Sequence, residues 1–116
     1  MRRSLTRQER LRRSSDIKGM FSAARRIESR GLKLLYKVNG SPATRFAVVV
    51  ARGCGGAVRR NREKRITREA FRSLRETVVP GFDLVFLVLR FGATFAERHA
   101  AMRQLVSRAG LRNAAD

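Results

Sequence analysis

One segment constrains this chain more than any other: Arg59-Arg60-Asn61-Arg62-Glu63-Lys64-Arg65-Ile66-Thr67-Arg68-Glu69-Ala70-Phe71-Arg72. Wound at about 100° per residue, it divides into two sides. Ile66, Ala70, Phe71 and Leu74 gather on one, an apolar stripe that needs a sheet to cover it. Asn61, Lys64, Arg65, Arg68, Arg72 and Arg75 gather on the other, within a band about 100° wide. Glu63, Glu69 and Glu76 fall outside that band, and Glu63 and Glu69 read as local ion-pair partners of neighbouring arginines. Like charges one turn apart oppose helix formation. Burial of the apolar side must overcome that repulsion, or a polyanion must relieve it.

The whole chain shares the bias: 27 Lys and Arg against 9 Asp and Glu give +18 over 116 residues. Such a charge repels itself unless a polyanion neutralises it, so nucleic acid is the expected partner. Guanidiniums one turn apart are about 5–6 Å from each other, comparable to the spacing of successive phosphates, and each planar fork can grip two phosphate oxygens. A solvated helix face is the bland alternative. It accounts less well for charges of one sign held strictly to one side.

Hydrophobic residues, 43 % of the chain, suffice for one modest core, so residues 1–116 are expected to form a single domain. The longest apolar run, Leu84 to Leu89, has strand length and falls far short of the roughly 20 residues of a membrane helix. Cys54, the single cysteine, cannot form an internal disulfide and fits a reducing, cytoplasmic setting. One Cys and one His (His99) cannot make a four-ligand zinc site. Residues 1–13 set six arginines against Glu9 with no apolar stretch, which excludes a secretory signal. They read as a basic arm on a nucleic-acid binder, with an organellar transit peptide the alternative. Residues 112–116 are expected to be a frayed tail.

Ser14-Ser15-Asp16 offers caps for a helix to about Arg26, with Ile17, Met20, Phe21 and Ala24 on one face. Gly31 breaks the chain. Leu32, Leu34 and Tyr36 alternate against Lys33, Leu35 and Lys37, a strand to about Val38. Asn39-Gly40-Ser41-Pro42 is a turn signal, so Arg45 to Arg52 is expected to return as the hairpin partner. Its run Phe46 to Ala51 is nearly all apolar and is expected to be covered on both faces. The basic helix runs from Ala57 to about Val78 and is stopped by Pro80-Gly81. Phe82 to Phe91 reads as a buried strand. Gly92-Ala93-Thr94 opens a last helix to about Ala109, capped by Thr94, with Met102, Leu105 and Val106 inside and Gly110 at its end. The order of elements predicts an α+β fold, one mixed sheet with helices packed on it.

The glycine run Gly53-Cys54-Gly55-Gly56 admits two readings: a backbone approach to phosphate, or a tight strand-to-helix turn. It does not match a Walker A loop. No close pair of carboxylates sits in an apolar setting suited to acid–base work. His99 reads as a surface residue, and Cys54 has no distant His or Asn to complete a nucleophile. The chain carries no recognisable active site of its own.

Gly55-Gly56-Ala57-Val58-Arg59-Arg60-Asn61-Arg62-Glu63-Lys64-Arg65 resembles the signature of the bacterial ribonuclease P protein subunit, with Arg60-Asn61-Arg62 as its core and Arg68-Glu69-Ala70-Phe71 following. Leu11-Arg12 with Asp16-Ile17 and Phe21 is similar to that family's first helix, and Leu34-Leu35-Tyr36 to its first long strand. Phe46 to Arg52 and Gly81-Phe82-Asp83-Leu84-Val85 resemble the strands on either side of the motif. The likeness spans Leu11 to Leu111. It implies a two-layer sandwich like the second domain of ribosomal protein S5, about four strands in a mixed sheet, with a left-handed βαβ crossover.

The resemblance also implies a role: binding ribonuclease P RNA and the 5′ leader of precursor tRNA, to promote endonucleolytic removal of that leader. The RNA and its Mg2+ ions would carry the hydrolysis, with no catalytic residue, metal or small-molecule substrate on the protein. Arg59, Arg60, Asn61, Arg62, Lys64, Arg65, Arg68 and Arg72 would contact the catalytic RNA. Ile17, Phe21, Tyr36 and Arg52 would line the leader cleft, where aromatic faces stack on unpaired bases at about 1–3 kcal/mol each. The chain departs from the family pattern in three places. Ile17 stands where an aromatic is common, Gly53 where a second basic residue follows, and Gly56 where Asn is usual. A ribosomal or ribosome-assembly protein is the alternative of the same size and charge. A DNA-binding regulator lacks the short helix and turn it needs before the basic helix, and a self-contained nuclease lacks the carboxylates.

Overall fold

The structure, a computed structural model, describes residues 14–52 and 55–113, with side chains from residue 17 onward. The expected basic arm, Gly53-Cys54 and residues 114–116 lie outside what is described, as do the side chains of Ser14, Ser15 and Asp16, the expected caps, whose backbone is already helical.

The first helix, α1 (Ser14–Ala23), stops short of the expected Arg26 because the next residues form a strand, β1 (Arg25–Ser29). That strand pairs antiparallel with β2 (Leu32–Val38), Arg25 opposite Tyr36 and Ser29 opposite Leu32. Only Arg30 and Gly31 join them, at φ of 52° and 77°. Two left-handed residues make the type I′ turn whose twist suits a tight hairpin. Gly31 is needed twice over, since a Cβ there would lie 2.5 Å from Cγ of Arg90.

The hairpin expected between β2 and β3 (Arg45–Val50) does not form. The sheet order is β1-β2-β4-β3, so β4 (Phe82–Val88) separates the two. It runs antiparallel to β2 and parallel to β3. The physical reason lies in burial. Leu84, Val85, Phe86 and Val88 are all fully buried, so β4 needs cover on both faces and takes the centre. At the edge, β3 leaves Val48 and Val49 half-buried, against the expectation of full cover. Asn39 steers the intervening loop: its Nδ2 donates to the carbonyl of Ala43 and to Asp83, and its Oδ1 accepts from Ser41 N–H. The strand expected to reach Phe91 ends at Val88, where the N–H groups of Leu89 and Arg90 turn to the carbonyl of Gly31.

Helix α2 (Ala57–Leu74) ends earlier than the expected Val78, closing in a 3-10 turn over Arg75–Thr77. Helix α3 (Phe95–Arg108) carries the expected cap: Thr94 accepts from Glu97 N–H while Glu97 accepts from Thr94 N–H. At its other end Gly110, φ 76°, makes a Schellman motif, Gly110 N–H to Ser107 and Leu111 N–H to Val106. The tail expected to fray past Leu111 is tied down at its start. Arg112 pairs with Val78, and Asn113 N–H donates to Thr77.

Helices α2 and α3 cover one face of the sheet, over Leu32, Leu34, Phe46, Leu84 and Phe86, and this pair of layers is the sandwich. Phe71 of α2 stacks on Phe46 with centroids 4.1 Å apart. The opposite face carries α1, whose Met20 packs on Leu35, Ala47 and Val85. No helix among the described residues is long and apolar enough to cross a membrane.

Candidate nucleic-acid interface

Helix α2 carries every residue of the basic motif, and packing sets its rotation. Its buried residues are Glu63, Thr67, Ala70, Phe71 and Leu74. Ile66, expected inside, is only half-buried, because the inward line runs through Glu63, Thr67 and Leu74 instead.

Glu63 is the unexpected member, 2 % exposed on the core side of a helix otherwise lined with arginine. Its Oε1 accepts from Nη2 of Arg98 at 2.8 Å, and its Oε2 from Arg62 at 3.2 Å and from Gly92 N–H at 3.0 Å. Arg98, 3 % exposed on α3, also donates to Oγ1 of Thr67 at 2.7 Å. A buried ion pair is tolerable when the remaining lone pairs and protons are also satisfied, and this carboxylate meets that condition. The expected local pairing holds for Arg62, but the main partner is 35 residues away. The missed signal was angular. Glu63 falls on the same helical line as Thr67, Ala70 and Leu74.

With Glu63 turned inward, Asn61, Arg65 and Arg68 stand exposed on the outer side, and half-buried Arg72 approaches Glu69 at 3.7 Å. Lys64 is half-buried on one flank, as is Arg60, whose Nε is buried without a partner among the described residues. Arg59 and Arg62 are exposed on the α3 flank, Arg59 lying 5.6 Å over the ring of Phe91. The eight expected contact residues therefore occupy an outer band and two flanks of one helix. No side chain caps α2, whose N-cap is Gly56, and no acidic residue stands in its first turn.

The residues expected to line a leader cleft are not all gathered. Ile17 packs with Met20 and Leu35 on the α1 face. Tyr36 packs into the main core on the opposite face, because strand alternation puts Leu35, and not Tyr36, beneath α1. Tyr36 lines a 460 Å³ pocket with Arg25, Phe82 and Leu111. Phe21 is 36 % exposed on α1, and Arg52 is exposed in the turn after β3. Among the described residues, no three His, Cys, Asp or Glu side chains come together as metal ligands. His99 is half-buried beside Phe95, ring centroids 5.8 Å apart.

This arrangement has known counterparts. The chain is 38 % identical over 87 residues to the ribonuclease P protein component of Thermotoga petrophila, covering 75 % of this chain and 74 % of the relative. It is 30 % identical over 101 residues to that of Clostridioides difficile, covering 84 % and 89 %. Among solved structures, the RNase P protein from Thermotoga maritima superposes with a TM-score of 0.77 at 30 % identity, over 86 % of this chain and 96 % of that one. The Staphylococcus aureus RNase P protein shares the fold at TM-score 0.81 and 18 % identity, over 90 % and 98 %. The family model described as Ribonuclease P matches residues 5–110. With motif, sheet order and these likenesses in agreement, the chain belongs to the ribonuclease P protein family.

Proposed function

We propose that this chain is the protein subunit of a ribonuclease P ribonucleoprotein, binding the catalytic RNA through α2 and promoting removal of the 5′ leader from precursor tRNA. One observation carries the reading: Glu63, the acid inside the motif, is turned into the core onto Arg98, so the outer band of Asn61, Arg65, Arg68 and Arg72 is left to face a polyanion. Each phosphate it neutralises releases counterions, which drives binding and makes it steeply dependent on salt. The flank residues Arg59, Arg60, Arg62 and Lys64 extend the contact beyond a single line of phosphates.

On this reading the protein performs no bond cleavage. Mg2+ held by the RNA supplies Lewis-acid activation and the hydroxide nucleophile, and the protein's side chains screen phosphate repulsion and hold substrate. Leader contacts fall to exposed Phe21 and Arg52, and to Tyr36 in its separate pocket. Any base stacked there is read with little sequence preference.

The test is precursor-tRNA cleavage at low Mg2+ by the cognate catalytic RNA, with wild-type protein, with Arg65→Ala/Arg68→Ala, and with protein alone. Wild type is expected to raise cleavage and the double variant to lose most of that gain. Its salt slope for RNA binding is expected to fall by about 1.4–1.8. Cleavage by protein alone would overturn the division of labour. A wild-type protein that leaves cleavage unchanged but binds ribosomal RNA tightly would favour the ribosome-assembly alternative.

A further inference from the structure

A second cavity, 530 Å³, opens where the first half of α3 meets the β1–β2 turn and the segment that follows β4. Its lining is apolar at Leu32, Phe91, Ala96 and Ala100 and charged at Arg30, Arg90 and the buried Arg98, the last already paired with Glu63. Neither Arg30 nor Arg90 meets a carboxylate among the described residues. Glu97 at the edge has its Oε1 on Thr94 N–H. The two arginines are held in place by the backbone. Arg30 occupies a left-handed position at φ 52°, and the stem of Arg90 lies across Gly31, where no side chain would fit. The carbonyl of Gly31 binds the N–H groups of both Leu89 and Arg90, locking the turn to the end of β4.

Two of the cavity's lining residues, Phe91 and Gly92, touch the basic helix. Arg59 lies over Phe91, and Gly92 N–H donates to Glu63. An apolar lining beside two cations that meet no carboxylate matches the two halves of a nucleotide, a ring to bury and a phosphate to neutralise. We infer that this cavity holds one unpaired nucleotide of a bound RNA strand, the base on Phe91 and the alanines, and the phosphate between Arg30 and Arg90. The inference rests on the reading of α2 as an RNA-binding face, because the strand reaches the cavity past Arg59. Two RNAs offer such a nucleotide, the catalytic RNA and the precursor leader.

Full-length Ala100→Leu fills the apolar part of the cavity from an exposed helical position. Arg30→Gly removes one cation at a site whose backbone favours glycine, so folding is preserved. Each is titrated against catalytic RNA, and each holoenzyme against precursor and mature tRNA, with Arg65→Ala in parallel. Ala100→Leu is expected to weaken one of these contacts about tenfold and Arg30→Gly about threefold, the latter lowering the salt slope by about 0.7–0.9. Loss of direct affinity for catalytic RNA assigns the nucleotide to that molecule. Loss only of the preference for precursor over mature tRNA assigns it to the leader. If both cavity variants match wild type in every titration while Arg65→Ala is weakened, the cavity proposal is overturned and the α2 reading stands. If Arg65→Ala is silent as well, the α2 reading itself has failed.

Discussion

Helices α2 and α3 lie side by side on one face of the sheet, yet they are held by opposite means. Helix α3 is specified locally, with a reciprocal Thr94–Glu97 box at its start and a Schellman turn through Gly110 at its end. Helix α2 has no side-chain cap, no acid in its first turn and a line of repelling cations down its outer side. Its position comes from tertiary contacts: Phe71 on Phe46, and Glu63 and Thr67 on Arg98 of α3. A helix with cations along its outer side and no acid in its first turn goes without the carboxylates that usually complement the dipole. Its stability is then supplied by its neighbours.

The contrast is broken most severely at Arg98. Arg98→Ala strands the Glu63 carboxylate, 2 % exposed, with only Arg62 and one backbone N–H. Removing one partner of a buried pair costs about 3–5 kcal/mol, a large part of the roughly 5–15 kcal/mol that a domain of this kind has. Urea unfolding should show that loss as a lower midpoint. The pair Glu63→Met/Arg98→Met should recover at least half of it, since apolar replacement of both partners removes the stranded charge. On the α3 side, Thr94→Ala should cost about 1 kcal/mol, read as a fall of about 4 °C in Tm. Thr94→Asp should restore it. If Thr94→Ala proves costlier than Arg98→Ala, the assignment of local support to α3 and tertiary support to α2 is reversed.

The same contrast explains what could be read in the chain beforehand. Local signals were legible: Thr94 as a cap, Gly110 as a stop, Pro80-Gly81 after α2, and the alternation of Leu32, Leu34 and Tyr36. The basic motif was legible because like charge at helical spacing is a one-dimensional pattern. Long-range decisions were not. Asn39-Gly40-Ser41-Pro42 is a sound turn signal, but whether a turn joins neighbouring strands depends on a third strand arriving 40 residues later. Arg25 and Arg26 carry no strand pattern, and they became strand because Arg30-Gly31 closes a hairpin onto β2. Tyr36 and Ile17 fell on opposite faces for a related reason, since parity along β2 decides which neighbour lies under α1. Glu63 was legible only in part: the local pairing that a carboxylate among arginines suggests is met by Arg62, while its main partner, Arg98, lies on another helix.

The smallest expected effect separates the two helices most cleanly, because it has opposite signs in stability and in binding. Arg68 is exposed on α2, with Lys64 four residues before it, Arg65 three before and Arg72 four after. Each like-charge neighbour at such spacing costs about 0.2–0.5 kcal/mol. Arg68→Ala should therefore raise unfolding stability by roughly 0.5–1 kcal/mol at low salt, alanine also being the better helix former. The gain should shrink at 1 M salt, where the screening length is about 3 Å. Affinity for catalytic RNA should fall in the same variant, with a salt slope smaller by about 0.7–0.9. Arg103 on α3, also exposed, is the control, and Arg103→Ala should change both quantities little. A basic stripe that stabilises the free protein would lose stability on truncation and would be a structural feature of α2. Gain in stability with loss of binding marks a surface whose repulsion is relieved only by RNA.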